Sequence, residues 1–418
     1  MKCEIIAIGT ELLLGQIVDT NSAWMGGHLA LAGIDSHYQT KVGDNQTRMV
    51  ECLRLALSRS DAVICCGGLG PTQDDITREA IAEVLNVNLV RHEWIGEHIR
   101  AMFEKRGRAM APSNLRQADV PEGASTIDQM PGTAPGLVCP LGDQVIYAVP
   151  GVPHEMRTML EGTVLPDLKR RAGVTSVIKS RVLRTWGYTE SGLADLLAGR
   201  IAELDKSGQA TLAFQASGIE GIKIRITAKS ESARTVDLTL SQEETRLREL
   251  IGDYVFGVDE QTMESAVLDV LREQGKSLAV AENLTGGLAG SRLAAIDGAS
   301  DVFRGSVFTD KPDIRAKLLG VSANSPLITA ESAEALAKGI RDHLNADIGL
   351  AATGNPGPGE REGQAPGTVW LGIAIGDETN SAKVMLPGDA NRVRQYAVIS
   401  LLNLLRRQLL GLRGPTVL

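Results

Sequence analysis

The chain has 418 residues, room for two to four globular domains at roughly 100–200 residues each. With 43% hydrophobic and 22% charged residues it can bury cores, and it is not a disordered chain. Acidic side chains outnumber basic ones 51 to 43, a net charge of −8 that argues against gripping nucleic acid by bulk charge.

In chain order, Ile5–Ile8 reads as a buried strand, followed by a helix over about 21–32 that stops at Gly33. A strand over roughly 35–42 comes next, then a helix with Met49, Leu53 and Leu57 on one face. The continuous apolar run 62–66 is another strand, opening into Gly67-Gly68-Leu69-Gly70. A helix from near Asp75 carries Ile81, Val84 and Leu85 on its inner stripe. A strand over 145–149 enters Pro150-Gly151-Val152-Pro153 and a helix to about Arg171. Repeated βα units with apolar strands imply a largely parallel, doubly wound α/β sheet over residues 1–171, with ligands beyond the strand carboxyl ends.

Residues 172–256 read as a small α+β module, with strands over 177–186, 211–216 and 222–228 and helices over 190–204 and 241–251. It carries as many acidic as basic side chains and so has no net positive field. Residues 257–418 form a second α/β domain. A strand over 278–281 enters Thr285-Gly286-Gly287 and a helix, and a strand over 305–309 precedes helices over 314–319 and 330–344. Strands over 348–352, 369–375 and 383–386 lead to a closing helix over 391–410.

The five cysteines, Cys3, Cys52, Cys65, Cys66 and Cys139, form no CxxC pair, which excludes a disulfide framework or a zinc site and predicts buried, inert thiols. No apolar run reaches the ~18–20 uncharged residues that span a bilayer, and Met1–Gly9 is too short for a signal peptide. A cytoplasmic location and no membrane partner are expected. The 45 glycines are the stronger anomaly, beside only 14 aromatic residues.

The strongest chemical signal is Gly67–Thr77, a glycine loop between a strand and a helix with Asp74 and Asp75 behind it. Glycines let backbone amides approach an anion, and paired acids beside a phosphate make sense when a hard divalent cation intervenes. A tight turn with an aspartate cap is the plainer reading. Other strand ends offer Gly9-Thr10-Glu11, Asp19–Ser22, the Pro131–Gly136 loop with Thr133, and Pro150–Met156, each also readable as ordinary caps and turns. Asn114 and Arg116 follow Pro112, and Arg116 is either a phosphate partner or a solvated side chain.

Gly9–Gln16, Asp19–Ser22, Gly67–Asp75 and Pro150–Met156, in this order, closely resemble the CinA (competence/damage-inducible protein A) family. The resemblance implies a first domain of the molybdopterin-binding MoaB/MogA type that hydrolyses ADP-ribose-type pyrophosphates with a divalent metal such as Mg, Mn or Co. It places substrate at Thr10, Asn21, Gly67, Gly68, Gly70, Thr77, Asn114, Arg116, Thr133, Gly151 and Pro153, with Glu11, Asp74 and Asp75 catalytic and Asp74 and Asp75 holding the metal. Because His154 is the lone histidine in these motifs, metal-bound hydroxide is expected to attack in place of a histidine base. The middle segment is similar to the family's KH-like module, yet Gly218-Ile219-Glu220-Gly221 carries an acid between two strands and reads as a hairpin turn, so nucleic-acid binding is not expected.

The third domain resembles the family's nicotinamide-mononucleotide deamidase domain, and here the chain departs from the pattern. Asn283 replaces the nucleophilic serine, Asp310 a tyrosine and Arg315 the catalytic lysine, whereas Thr285 and Gly286 remain. The expectation is a domain that folds without deamidating. The alternatives are a non-hydrolytic pterin- or nucleotide-binding scaffold linked to competence or DNA damage, and residual deamidation. A small nucleotide substrate and a homodimer are family expectations.

Overall fold

The computed structural model describes residues 1–412; residues 413–418 of the expected third domain lie outside the described residues. The chain divides into two compact units, residues 1–179 with 229–236, and residues 180–228 with 237–418.

The first unit is built on strands β1 (Cys3–Ile8), β2 (Gln39–Val42) and β3 (Ala62–Cys66), the short pair β4 (Leu89–Arg91) and β5 (Asp119–Pro121), and then β6 (Ser125–Thr126), β7 (Leu137–Leu141) and β8 (Gln144–Val149). The main sheet runs β2-β1-β3-β8-β7-β6. β2, β1, β3 and β8 are parallel, and β7 and β6 add an antiparallel edge. Every residue of β1 and β3 is buried, because helices cover both faces. Side chains alternate between those faces. Ile6, Val63 and Ile146 pack with Met49, Leu53, Ile81 and Ile99 on one side, and Ile5, Ile64 and Tyr147 with Met25, Leu29 and Met159 on the other.

Several expectations shift here. The second strand is only Gln39–Val42, with Asp35 contributing an isolated bridge to Lys2, and the helix expected from Asp75 begins at Thr77. The helix Glu93–Lys105, the separate antiparallel pair β4–β5, and the strands β6 and β7 occupy residues between the helix Thr77–Leu85 and β8 for which no element was expected. Four of the cysteines are buried and Cys52 is half-buried. Burial pushes the Cys66 and Cys139 thiols up to about 12, which suppresses the reactive thiolate.

The second unit carries most of β9 (Val177–Thr185) and β11 (Ile222–Ser230) and all of β10 (Ala210–Ala216) and β12 (Val255–Val258), which form a sheet in the order β10-β11-β9-β12. Residues 218–221 turn the chain from β10 into its antiparallel partner β11, as the hairpin reading requires. Helices Glu190–Ser207 and Ala233–Ile251 are tied together by Arg200, which donates to both oxygens of the buried Glu243. A second sheet, β13 (Leu278–Glu282), β14 (Phe303–Phe308), β15 (Ile348–Gly354), β16 (Thr368–Ile375) and β17 (Glu378–Met385), runs β14-β13-β15-β16-β17. β17 is longer than the expected 383–386 because it forms a full hairpin with β16. Trp186 and Phe256 join the core of this second sheet, so the two sheets share one unit.

The two faces of that second sheet differ in residue size. Leu278, Val280, Leu350 and Ile373 face the helix Ala390–Leu409, whereas Ala279, Ala281, Ala351 and Ala374 face the helix Ala330–His343. Small residues let that helix lie close. A Cβ on Gly349 would run into the Ala337 carbonyl oxygen, whereas a Cβ on Gly199, in the exposed helix Glu190–Ser207, would meet nothing. Gly349→Ala is therefore expected to destabilise the second unit by about 1–3 kcal/mol, and Gly199→Ala to stabilise it by about 0.5–1 kcal/mol. Denaturation midpoints of the two variants check this opposite sign.

Candidate functional site

The carboxyl ends of β1, β3 and β8 meet at one edge of the first sheet, where three turns crowd together. Gly9 donates its N–H to the Val42 carbonyl (3.0 Å) and Gly67 donates to that of Val149 (3.0 Å). A Cβ on Gly67 would strike the Ile8 carbonyl oxygen, and φ +114° there is in any case a glycine conformation. The loop is held from behind. Arg78, 1% exposed, donates to the Leu69 (2.6 Å) and Gly70 (2.9 Å) carbonyls. Thr77 donates its hydroxyl to Gly67 O (2.8 Å), and Arg116 donates to Thr72 O (2.6 Å) and to Glu79 (2.9 Å). With the carbonyls turned inward, the N–H groups of Gly68, Leu69 and Gly70 have no protein acceptor among the described residues.

The residues that carry these amides line a cavity of about 470 Å³, within the ~300–1,000 Å³ range of small-molecule sites. Of the residues singled out in the sequence, Glu11, Gly67, Gly68, Gly70, Asp74, Asp75, Thr133 and Gly151 line it. Glu11 and Gly151 also line an adjoining cavity of about 170 Å³, with Asn21 and Pro153. Asn21 donates to Gly151 O (2.8 Å), so its amide holds the Pro150–Pro153 turn. Asp75 bends back to accept from the Thr72 N–H (2.8 Å) and from the Thr72 hydroxyl. Thr10, Thr77, Asn114 and Arg116 lie outside both cavities. Thr10 donates its N–H and hydroxyl to Asp44 (2.8 Å each), Asn114 donates to Ala111 O (3.1 Å), and Thr77 and Arg116 brace the loop.

Two polar lining residues, Asp44 and Gln117, lie outside the motifs singled out in the sequence, and a third, Glu155, lies within Pro150–Met156 but was assigned no role there. The Glu155 carboxylate has no hydrogen-bond partner among the described residues, and burial raises its pKa against the lowering effect of His154 and Arg106. The signal that could have found it is the turn–helix boundary at Pro153, which puts residue 155 in the first turn of the helix Pro153–Met159. No three His, Cys, Asp or Glu side chains among the described residues gather into a metal cage. Hard divalent cations that bridge to phosphate need only one or two protein carboxylates, and the cavity-lining Asp74 and Glu11 fit that sharing mode.

The third domain has its own cavity of about 470 Å³, lined by Asn283, Thr285, Gly286, Asp310, Arg361 and Arg394 among others. Asn283 donates to Thr309 O (3.1 Å). The Thr285 hydroxyl donates to the buried Glu282 (2.8 Å), which also accepts the N–H groups of Ala289 and Gly290. Arg315 is buried and does not line the cavity.

Three family models match in sequence order: a probable molybdopterin binding domain over residues 4–170, a damage-inducible protein CinA KH domain over 180–257, and a CinA C-terminal domain over 260–409. The chain thus combines a MoaB/MogA-like domain, a KH-like module and a further α/β domain. A CinA-like protein of Frankia casuarinae is 42% identical over 99% of this chain and 97% of its own length. A putative competence-damage inducible protein of Thermoanaerobacter pseudethanolicus is 38% identical over 99% of this chain and all of its own. A solved CinA structure of unknown function from Thermoplasma acidophilum is 34% identical, covering 40% of this chain and 97% of its own, with a TM-score of 0.37. The chain belongs to the CinA family.

The dependence of the loop on Arg78 is directly testable. Arg78→Met leaves the Leu69 and Gly70 carbonyls without a donor and is expected to cost about 1–3 kcal/mol. Amide hydrogen exchange of residues 67–75 should accelerate in the variant while that of β1 and β3 stays slow.

Proposed function

We propose that the first domain hydrolyses the pyrophosphate bond of ADP-ribose or a related NAD-derived dinucleotide. The observation that carries this reading is the juxtaposition of free Gly68, Leu69 and Gly70 amides with the carboxylates of Glu11 and Asp74 around one cavity. Amides alone would suit any anion, and acids alone would repel one. Together they suit a phosphate that arrives with a cation. The choice of ADP-ribose among pyrophosphates rests on the resemblance to the CinA family.

In this reading the loop amides bind one phosphate and disperse the charge that develops on it. Asp74 and Glu11 would hold a divalent cation, which would supply charge neutralisation and a more acidic water. Glu155 accepts the proton as the oxygen of water attacks phosphorus and the bridging P–O bond breaks. The products are AMP and ribose 5-phosphate, with the bridging oxygen retained on the departing phosphate. Asp75 and Asn21 act as positioning residues through Thr72 and the Gly151 carbonyl.

The third domain is proposed not to deamidate. Its cavity offers no serine or cysteine among the lining residues, and the Thr285 hydroxyl is committed to Glu282. The expectation is that nicotinamide mononucleotide releases no ammonia.

The chain incubated with ADP-ribose and Mg²⁺, Mn²⁺ or Co²⁺ should yield AMP, followed by chromatography, and Asp74→Asn should remove most of that turnover. A general base must be deprotonated to act, so the rate should rise with pH through the elevated Glu155 pKa. Glu155→Gln should abolish that limb and lower the rate roughly 10²–10⁴-fold. Absence of AMP with every metal, alongside measurable ADP-ribose binding, would favour the scaffold reading.

A further inference from the structure

The second unit holds a cavity that no family motif explains. It measures about 250 Å³ and lies where the KH-like module meets the closing helix Ala390–Leu409. Trp186, Tyr188 and Tyr396 line it, and the Gly218–Gly221 turn supplies another wall. In a chain with only 14 aromatic residues, this concentration is itself a signal.

The rings are ordered. Trp186, 5% exposed, packs against Tyr396 with centroids 5.8 Å apart, and Tyr188, 42% exposed, packs against Tyr254 at 4.7 Å. A Cβ on Gly221 would run into the Thr185 carbonyl oxygen and come within 3.2 Å of the Trp186 ring, so only glycine lets this turn lie over the indole. The Gly218–Gly221 hairpin turn therefore shapes a pocket wall.

Charge at the opening has one sign. Arg392 lines the cavity, donates to the Tyr396 hydroxyl (3.1 Å) and lies over that ring. No carboxylate among the described residues lies within ion-pairing distance of it. Asp389 caps the helix through the Arg392 N–H (2.9 Å), and Glu220, the acid of the turn, is paired with Lys223 and Arg184. The first turn of a 20-residue helix adds a favourable field for an anion.

An aromatic lining beside a guanidinium with no carboxylate partner among the described residues matches a planar ring that carries a negative group. Stacking is tolerant of ring identity, and guanidinium recognises phosphate. We propose that this cavity binds a nucleobase with its phosphate, the ring stacking on the exposed Tyr188 beside the buried Trp186 and the phosphate meeting Arg392. The site lies in a different unit from the glycine-loop cleft and does not depend on the hydrolase reading.

Photolabelling of the full chain with 8-azido-AMP, followed by peptide mapping, tests this. Label is expected on the segments around Tyr188 or Tyr396, with protection by AMP and weaker protection by adenosine. Arg392→Ala should weaken AMP protection roughly ten-fold or more, and Tyr188→Ala, at an exposed position, should do so by a similar factor without unfolding the chain. ADP-ribose turnover should be unchanged in both. A 5′-phosphorylated oligonucleotide that protects at lower concentration than AMP would support the chemistry and assign the phosphate to a nucleic-acid end. Label absent from these segments, or protection insensitive to both substitutions, would overturn the proposal.

Discussion

The candidate site depends on one steric constraint: the backbones after β1 and β3 approach so closely that a side chain at position 67 would collide with the Ile8 carbonyl. Glycine satisfies the constraint, but glycine also leaves the loop without side chains to hold it. The buried Arg78 guanidinium supplies the hold from behind by taking two loop carbonyls. That arrangement leaves the Gly68, Leu69 and Gly70 N–H groups beside the cavity without a protein acceptor among the described residues, and free amides of this kind suit an anion. Sheet packing, loop geometry and electrostatics are thus consequences of a single close approach.

The same device, glycine at a close approach, serves two further purposes in the chain. At Gly349 and Gly372 it lets the helix Ala330–His343 settle on a sheet face made of small residues. At Gly221 it lets a hairpin turn cover an indole. A glycine excess therefore marks packing as well as ligand loops, and the residues around each glycine decide which. Around Gly67–Gly70 there are acids; around Gly221 there are rings and an arginine.

Much of the fold was legible because β1, β3, β8, β13 and β15 are buried on both faces and read as continuous apolar runs. The helix Glu93–Lys105 was missed although Ile95 and Ile99 form its buried stripe, because short polar turns and weak strands surround it. β7 carries Pro140, which conceals a strand that runs antiparallel near the sheet edge. At the site, the glycines, Glu11 and Asp74 were legible as motif residues. The same reading could not separate residues that face the cavity from residues that hold it: Thr77, Asn114 and Arg116 belong to the motifs, yet their polar atoms bond to the protein. Asp44 was invisible and Glu155, although inside the Pro150–Met156 motif, carried no assigned role, since a lone acid gains its meaning from burial and neighbours.

The central claim is that the cleft at the ends of β1, β3 and β8 receives a pyrophosphate. A crystal structure of the chain with the methylene-bridged, non-hydrolysable analogue of ADP-ribose and Mg²⁺ tests it most directly. The account predicts one phosphonate on the Gly68–Gly70 amides, with the cation between it and Asp74 and with Glu155 facing the bridge. Phosphonates seated instead beside Arg361 and Arg394 in the third domain, with the glycine loop empty, would contradict it.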